Sequence, residues 1–306
     1  MSRQPFRKQT RHEHEGRPHF ARAARFVLFP WMIRISYEFE SSTAILLRRV
    51  NCGTGSATRI PFSHENDSMI TIRRAKNRRH VKRDDQDLWL TFDALDPQDP
   101  FAHGFGALEI LSENQLPPDA VVPLHPRDDA EVITYVAEGA LAYENALGGS
   151  GVVEAGEFQR VTAGRRLRHS EASPPRTGGA HIFQLWLRPS QTDLEPSHEK
   201  RRFSTAQRRG VLCLIASPDG RNGTLHVHQD TFLYAATVDK GYHLVHELSP
   251  GRSAWLQIVR GSADCAGDIL SSGDGAAITA ERMVSFTAKE ETEILLLDLR
   301  EQLQGS

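Results

Sequence analysis

Cysteine is scarce in this chain of 306 residues. The three cysteines are Cys52, Cys213 and Cys265, and no two of them have the short spacing of a zinc knuckle or a disulfide framework. A lone cysteine is more often a small buried apolar residue than a reactive one. Sparse, unpaired cysteine is typical of a reducing compartment, so we expect a cytoplasmic protein.

Long hydrophobic runs are also missing. The apolar run at residues 26–33 is short and is broken by Pro30, so it cannot span a bilayer. A secretory signal needs a small-residue cleavage site, and an Arg-rich transit peptide lacks the acidic residues found here at Glu13 and Glu15. The sequence therefore predicts no membrane partner.

The chain has no large excess of charge of either sign. The net charge of −2 gives no indication of a surface that binds nucleic acid directly. Residues 1–68 alone carry 11 Lys and Arg against 6 Asp and Glu, and they show little hydrophobic periodicity. Met69 then opens the strand-like sequence Met-Ile-Thr-Ile. We expect residues 1–68 to be a disordered extension, or an upstream reading that precedes a native start at Met69.

Beyond Met69 the chain is rich in short strand-like segments separated by turn signals. Val132–Val136 and Ala140–Tyr143 are rich in β-branched or apolar residues, and residues 144–149 form a Gly-containing turn. Such spacing favours an antiparallel sandwich or barrel. The predicted fold class is all-β.

Two halves of this region repeat each other. Residues 132–139 are similar to residues 254–261, and each segment ends in glycine. Sliding one half onto the other places Phe286 opposite His169 and Ala288 opposite Glu171. The second half therefore lacks metal-binding side chains at the matching positions.

These features predict two tandem jelly-roll barrels. We expect an N-terminal barrel at residues 69–190 that carries the functional site, and a C-terminal barrel at residues 211–306 without metal ligands. The polar, proline-containing stretch at residues 191–210 is typical of a linker.

Three side chains of the first half have the chemistry of a metal site. His169 and Glu171 are two residues apart, so an extended strand would direct both to one face. His125 stands at the start of the preceding strand-like region and could meet them. Two imidazoles and a carboxylate are the ligand set of a non-haem iron centre. Arg127, two residues after His125, is a cation where the same face should hold a ligand.

Motifs spread from Met69 to Leu299 belong together. They are His125-Pro126, residues 131–136 with Gly139, residues 155–159, residues 162–164, residues 168–171, residues 183–187, residues 215–219, residues 254–257 and residues 273–275. Together they resemble the pirin family of two-barrel cupins, particularly its bacterial quercetinase-like branch.

The resemblance implies a metal centre in the N-terminal barrel, held by three histidines and one glutamate. Carried over by position, it makes His125, His169 and Glu171 retained ligands and places the remaining histidine at Arg127. The implied metal is one divalent transition metal, iron first, with nickel, manganese or zinc as alternatives that the same ligands suit.

Arg127 leaves two interpretations open. In one, the metal stays on His125, His169 and Glu171, while Arg127 swings outward towards neighbouring acidic residues. In the other, the guanidinium forks onto Glu171 and the barrel is metal-free.

Other residues receive weaker predictions. Glu131 is expected either to orient His125 from behind or to lie on a solvated rim. His226 and His228 imitate a metal motif, but no glutamate follows at the right distance, so we do not expect them to be ligands. The expected substrate pocket is walled by aromatic residues, although Tyr135 and Trp186 are more typical of a core. The pocket residues are Phe105, Phe158, Phe183 and Trp186.

Two functions remain in view. The resemblance implies a quercetin 2,3-dioxygenase-like oxidoreductase that acts on a small flavonol-like aromatic, with Glu171 as ligand and catalytic base. The alternative is a metal-free regulatory or redox-sensing bicupin, of the transcriptional cofactor type, which works through a protein partner. Arg127 is the residue that favours this alternative.

Overall fold

The computed structural model describes residues 69–83, 86–122, 129–145, 149–164, 169–174 and 178–301, without the side chains of residues 69, 122, 145 and 169. The predicted extension at residues 1–68 lies outside this description. Within it, helix is confined to α1 (Thr205–Arg208) and to two 3-10 turns at Ala75–Asn77 and Arg221–Gly223. No helix of the described part is long and apolar enough to cross a bilayer.

Strands make up the rest of the ordered elements. In the first half they are β1 (Met69–Arg73), β2 (Arg79–Arg83), β3 (Gln86–Leu90), β4 (Leu108–Leu116), β5 (Val121–Val122), β6 (Glu131–Asn145), β7 (Ser150–Glu154), β8 (Glu157–Thr162), β9 (His169–Ala172), β10 (Ala180–Leu187) and β11 (Ser197–Arg202). In the second half they are β12 (Cys213–Ser217), β13 (Leu225–His226), β14 (Thr231–Val238), β15 (His243–Glu247), β16 (Arg252–Arg260), β17 (Ser262–Cys265), β18 (Asp268–Ser271), β19 (Gly275–Thr279), β20 (Met283–Ala288) and β21 (Thr292–Arg300).

The strands form two barrels, as the sequence predicts. The first barrel is one sheet in the order β11-β8-β6-β10-β4-β3-β2, to which β7, β9 and β5 are added. Strand β6 is long enough to pair with β8 and β10 along its first part and with β7 and β9 along its second. The second barrel combines the sheet β1-β19-β16-β21-β14-β12-β13 with the sheet β15-β20-β17-β18.

Two boundaries differ from the predicted ones. Strand β1 pairs with β19 from Met69↔Thr279 to Arg73↔Gly275, so the first strand belongs to the second barrel. The predicted linker contains β11, which pairs with β8 at the edge of the first sheet. It resembles a linker in sequence because an edge strand needs few apolar residues.

The glycine alignment of the two halves is confirmed in backbone geometry. Gly139 and Gly261 have φ of 72° and 82°, a region that favours glycine. A Cβ at Gly139 would lie 1.9 Å from the Gly179 carbonyl oxygen, and one at Gly261 would lie 2.3 Å from that of Glu291. Each glycine therefore allows a neighbouring strand to approach closely at the same place in its barrel.

The largest hydrophobic core lies between the barrels. Along β6, Ile133 and Tyr135 pack into this shared core. The intervening Thr134 points to the interior of the first barrel, because neighbouring strand residues face opposite sides. Phe158 stacks on Tyr135 with ring centroids 4.3 Å apart, and it belongs to the same core.

Candidate metal centre in the N-terminal barrel

Strand β9 carries the spacing on which the metal prediction depends. It pairs with the second part of β6, with Asn145↔His169 and Tyr143↔Glu171, and with β5 through Val122↔Glu171. Positions 169 and 171 are therefore two apart in a paired strand. The Glu171 residue is only 5% exposed.

Gln184 holds the Glu171 carboxylate. Its Nε2 lies 2.9 Å from each of the two carboxylate oxygens and 3.4 Å from Thr134 Oγ1. Since a carboxylate only accepts hydrogen bonds, the amide must present its NH₂ group. Sequence reasoning missed Gln184; the available signal was one amide in the otherwise apolar centre of Ala180–Leu187.

The other residues of the predicted metal site lie outside the part of the chain that the structure describes. His125 and Arg127 are not among the described residues, and neither is the side chain of His169. Among the described side chains there is no cluster of three or more His, Cys, Asp or Glu able to hold a metal. The predicted arrangement of His125, Arg127, His169 and Glu171 thus stays a prediction. Glu171 is the member whose side chain the structure describes.

Glu131 has a structural role that sequence reasoning missed, because it contacts the second barrel. It is 0% exposed, and its carboxylate accepts from Thr162 Oγ1 at 2.8 Å and from the His228 backbone N at 2.6 Å. His228 Nδ1 lies 2.8 Å from Glu131 Oε1. Alternation along β6 places Glu131 on the same face as Ile133 and Tyr135. It joins the two barrels and does not lie on a solvated rim, whereas its predicted partner His125 lies outside the described residues.

The structure does not bring the predicted pocket phenylalanines to Glu171. Phe158 and Phe183 are 0% and 1% exposed and belong to the core between the barrels. Phe105 packs there too, with its ring centroid 5.6 Å from that of Trp255. Alternation predicts two faces for each strand, but it does not say which face meets the other barrel.

Trp186 is the predicted aromatic that remains on the interior face. It stands two residues after Gln184 in β10 and pairs with Val132 and Ile110, so it shares the Gln184 side of the sheet. The indole residue is half-buried. Of the four predicted pocket residues, Trp186 is therefore the one placed to form an aromatic wall near Glu171.

Burial sets the state of the described thiols. Burial raises the pKa of Cys265 to about 11, and the nearby Asp264 and Asp268 add to the effect. Burial also raises the pKa of Cys213, although the positive charge of Arg208 opposes it. Both groups are protonated thiols at neutral pH, which is the less nucleophilic form.

Comparison with known proteins decides the family. The pirin family model matches residues 71–187, and the model described as the quercetinase C-terminal cupin domain matches residues 214–299. The quercetin 2,3-dioxygenase of Escherichia coli strain K12 is 37% identical over 231 residues, which cover 76% of this chain and 99% of that protein. This chain belongs to the pirin family.

Further pirin relatives agree with this assignment. A Pirin-like protein of Caulobacter vibrioides is 32% identical over 202 residues, covering 65% of this chain and 86% of that protein. The crystal structure of the bacterial pirin YhhW from Escherichia coli in complex with nickel(II) superposes with a TM-score of 0.71. It is 36% identical and covers 76% of this chain and all of that one. The two-cupin architecture is thus that of the pirins.

Proposed function

We propose that this pirin is a metal-dependent flavonol dioxygenase of the quercetin 2,3-dioxygenase type, with an altered metal site. The observation that carries the proposal is the buried Glu171 carboxylate, fixed by Gln184 inside the barrel whose relatives include a named quercetin 2,3-dioxygenase. The substrate class is a small flavonol-like aromatic.

The donor set fits a divalent metal. His125, His169 and Glu171 would hold it, since imidazole and carboxylate together suit first-row metals such as iron, nickel and manganese. The Gln184 amide is neutral, so it orients the Glu171 carboxylate without competing as a counter-ion with a metal cation. When bound, the metal would supply Lewis-acid and oxygen-activating chemistry.

The described residues have distinct tasks in this proposal. A Glu171 carboxylate oxygen takes the proton of the substrate hydroxyl as a general base. Gln184 fixes the direction of that carboxylate through its two 2.9 Å contacts. Trp186 provides an apolar wall that an aromatic ring can contact.

The test is turnover of quercetin by the full chain loaded with Fe²⁺, Ni²⁺ or Mn²⁺, together with elemental analysis. Glu171→Gln keeps the size of the side chain but removes the base, so kcat should fall by about 10²–10⁴-fold. His125→Ala should reduce both metal content and turnover. His243→Ala, an exposed histidine of the second barrel, is the matched control. Undiminished turnover in the Glu171 and His125 variants would refute the proposal.

The second candidate is a metal-free regulator, and Arg127 in the sequence is the observation that favours it. The raised pKa values of Cys213 and Cys265 argue against a redox-sensing regulator, because they keep both side chains as thiols. Purified protein without a stoichiometric transition metal would support the regulator. Peroxide treatment followed by thiol mass mapping should leave Cys265 unmodified. Rapid oxidation of Cys265 would instead favour the redox-sensing interpretation.

A further inference from the structure

Four buried polar side chains cross the interior face of the first barrel in a single row. In register, Ser112 pairs with Gln184, Gln184 with Thr134, and Thr134 with Gln159. Residues that are directly opposite in neighbouring strands share a face. All four are nearly inaccessible. We call them the polar row; Gln184, one of its members, holds Glu171.

The second barrel provides an internal comparison. The glycine alignment of the two halves places Leu256 opposite Thr134. In register, Leu256 pairs with Ala276 and Leu296, and Leu296 pairs with Tyr234. Those four residues belong to or pack against the apolar core of the second barrel. One architecture therefore tolerates an apolar row, so the fold itself does not require polar groups there.

Gln159 is the member of the polar row with an unmet hydrogen-bonding need. The residue is 2% exposed, and its Nε2 has no hydrogen-bond partner among the residues that the structure describes. Phe158 beside it packs into the core between the barrels, so Gln159 faces the opposite side, towards the interior that holds Gln184 and Glu171. A buried donor without a partner is unfavourable, and such groups are expected where a ligand completes them.

We propose that the polar row is the recognition floor of the substrate site, with the Gln159 amide donating a hydrogen bond to an oxygen of the bound substrate. The acceptor is a carbonyl or deprotonated hydroxyl oxygen of a planar polyphenol. This inference rests on the proposed flavonol dioxygenase function. It adds a substrate-binding residue that lies on a different strand from the predicted metal ligands.

The test compares two substitutions of buried glutamine by leucine. Gln159→Leu removes the unpaired amide. Gln257→Leu removes a paired amide of the second barrel, whose Nε2 donates to the carbonyl oxygens of Ile258 and Asp274. Quercetin binding to the metal-loaded full chain is measured by anaerobic calorimetry, and Tm is measured without quercetin. Metal content is measured in each protein.

Gln159→Leu should weaken quercetin binding by about tenfold, with unchanged metal content and a Tm no lower than that of the wild type. Gln257→Leu should lower Tm and leave the quercetin Kd unchanged. Equal quercetin binding by wild type and Gln159→Leu overturns the inference while the proposed function stands. Wild-type protein that binds no quercetin refutes the proposed function. The inference falls with it, and a lowered Tm of Gln159→Leu would overturn the inference on its own, because the amide would then serve the fold.

Discussion

Arg127 is predicted to oppose metal binding in this pirin, because it places a cation where a ligand is expected. A cation held ~4 Å from a divalent metal would cost about 8 kcal/mol at an effective dielectric near 20. Arg127→His removes that charge and supplies an imidazole at the position where the resemblance implies one. Because a guanidinium that swings outward keeps only part of that cost, we expect metal affinity to rise by at least about 100-fold, measured by chelator competition. If neither wild type nor variant binds metal, the dioxygenase proposal fails.

Gln184 is expected to increase the metal affinity of the same site by orienting Glu171. Removing the partner that orients a metal ligand typically costs about 10–100-fold in metal affinity. Gln184→Leu should therefore weaken metal binding by that amount. Gln115→Leu, which replaces an exposed amide on β4, is the control. An unchanged affinity in Gln184→Leu would mean that Glu171 does not need its amide partner.

The Glu113 carboxylate connects β4 to two other segments of the first half. Its carboxylate on β4 accepts from Arg78 NH1 at 2.6 Å and lies 2.8 Å from His181 Nε2 on β10. Burial alone would raise the pKa of Glu113, but the hydrogen bond of His181 and the charge and hydrogen bond of Arg78 together lower it below 4.5. The carboxylate is therefore bound more favourably in the folded state when ionised.

The sign of the pH dependence follows from that lowered pKa. The stabilisation by Glu113 is present above the unfolded value of about 4.5 and is lost as pH falls through the lower folded value. Glu113→Gln should lose about 2 kcal/mol of unfolding free energy at pH 7 and show a flatter decline below pH 4.5. Urea unfolding between pH 3 and 7 measures both. Parallel curves for the two proteins would contradict the assignment.

Strand pairing also marks the limit of sequence reasoning. The strand at residues 132–136, the paired glycines and the extended spacing of residues 169 and 171 were predictable, because each depends on local alternation or on the repeat. The partner of β1 and the strand character of β11 were not, because both depend on pairing across the chain. For the same reason Phe158 and Phe183 were expected in a pocket, and Gln184 and Gln159 were overlooked.

The two barrels are joined by polar as well as apolar contacts. His228 of the second barrel lies 2.8 Å from the buried Glu131 of the first, and Arg208 NH1 donates to Glu293 Oε1 at 2.7 Å in a cluster with Tyr135. Burial, together with the charge of Glu293, raises the pKa of Tyr135, so its hydroxyl stays protonated. The halves are therefore expected to unfold together.

His228→Ala tests this coupling. It removes one partner of a buried carboxylate, which should cost about 1–3 kcal/mol of unfolding free energy. His226→Ala is the matched control, because His226 lies beside His228, with ring centroids 4.6 Å apart, but does not contact Glu131. Guanidinium unfolding followed by near-UV circular dichroism measures both. Equal stability losses in the two variants would argue against the Glu131 contact.

The pairing of β1 with β19 has a consequence for protein synthesis. Strand β1 leaves the ribosome before either barrel, yet its partner at Gly275–Thr279 emerges only near the end of translation. Until then Ile70 and Ile72, which pack against the second core, have no sheet to cover them, and such an edge is prone to aggregate. A nascent chain that stalls after the first barrel would thus expose the apolar side chains of the unpaired β1. Holdase chaperones would be expected to bind β1 at this stage.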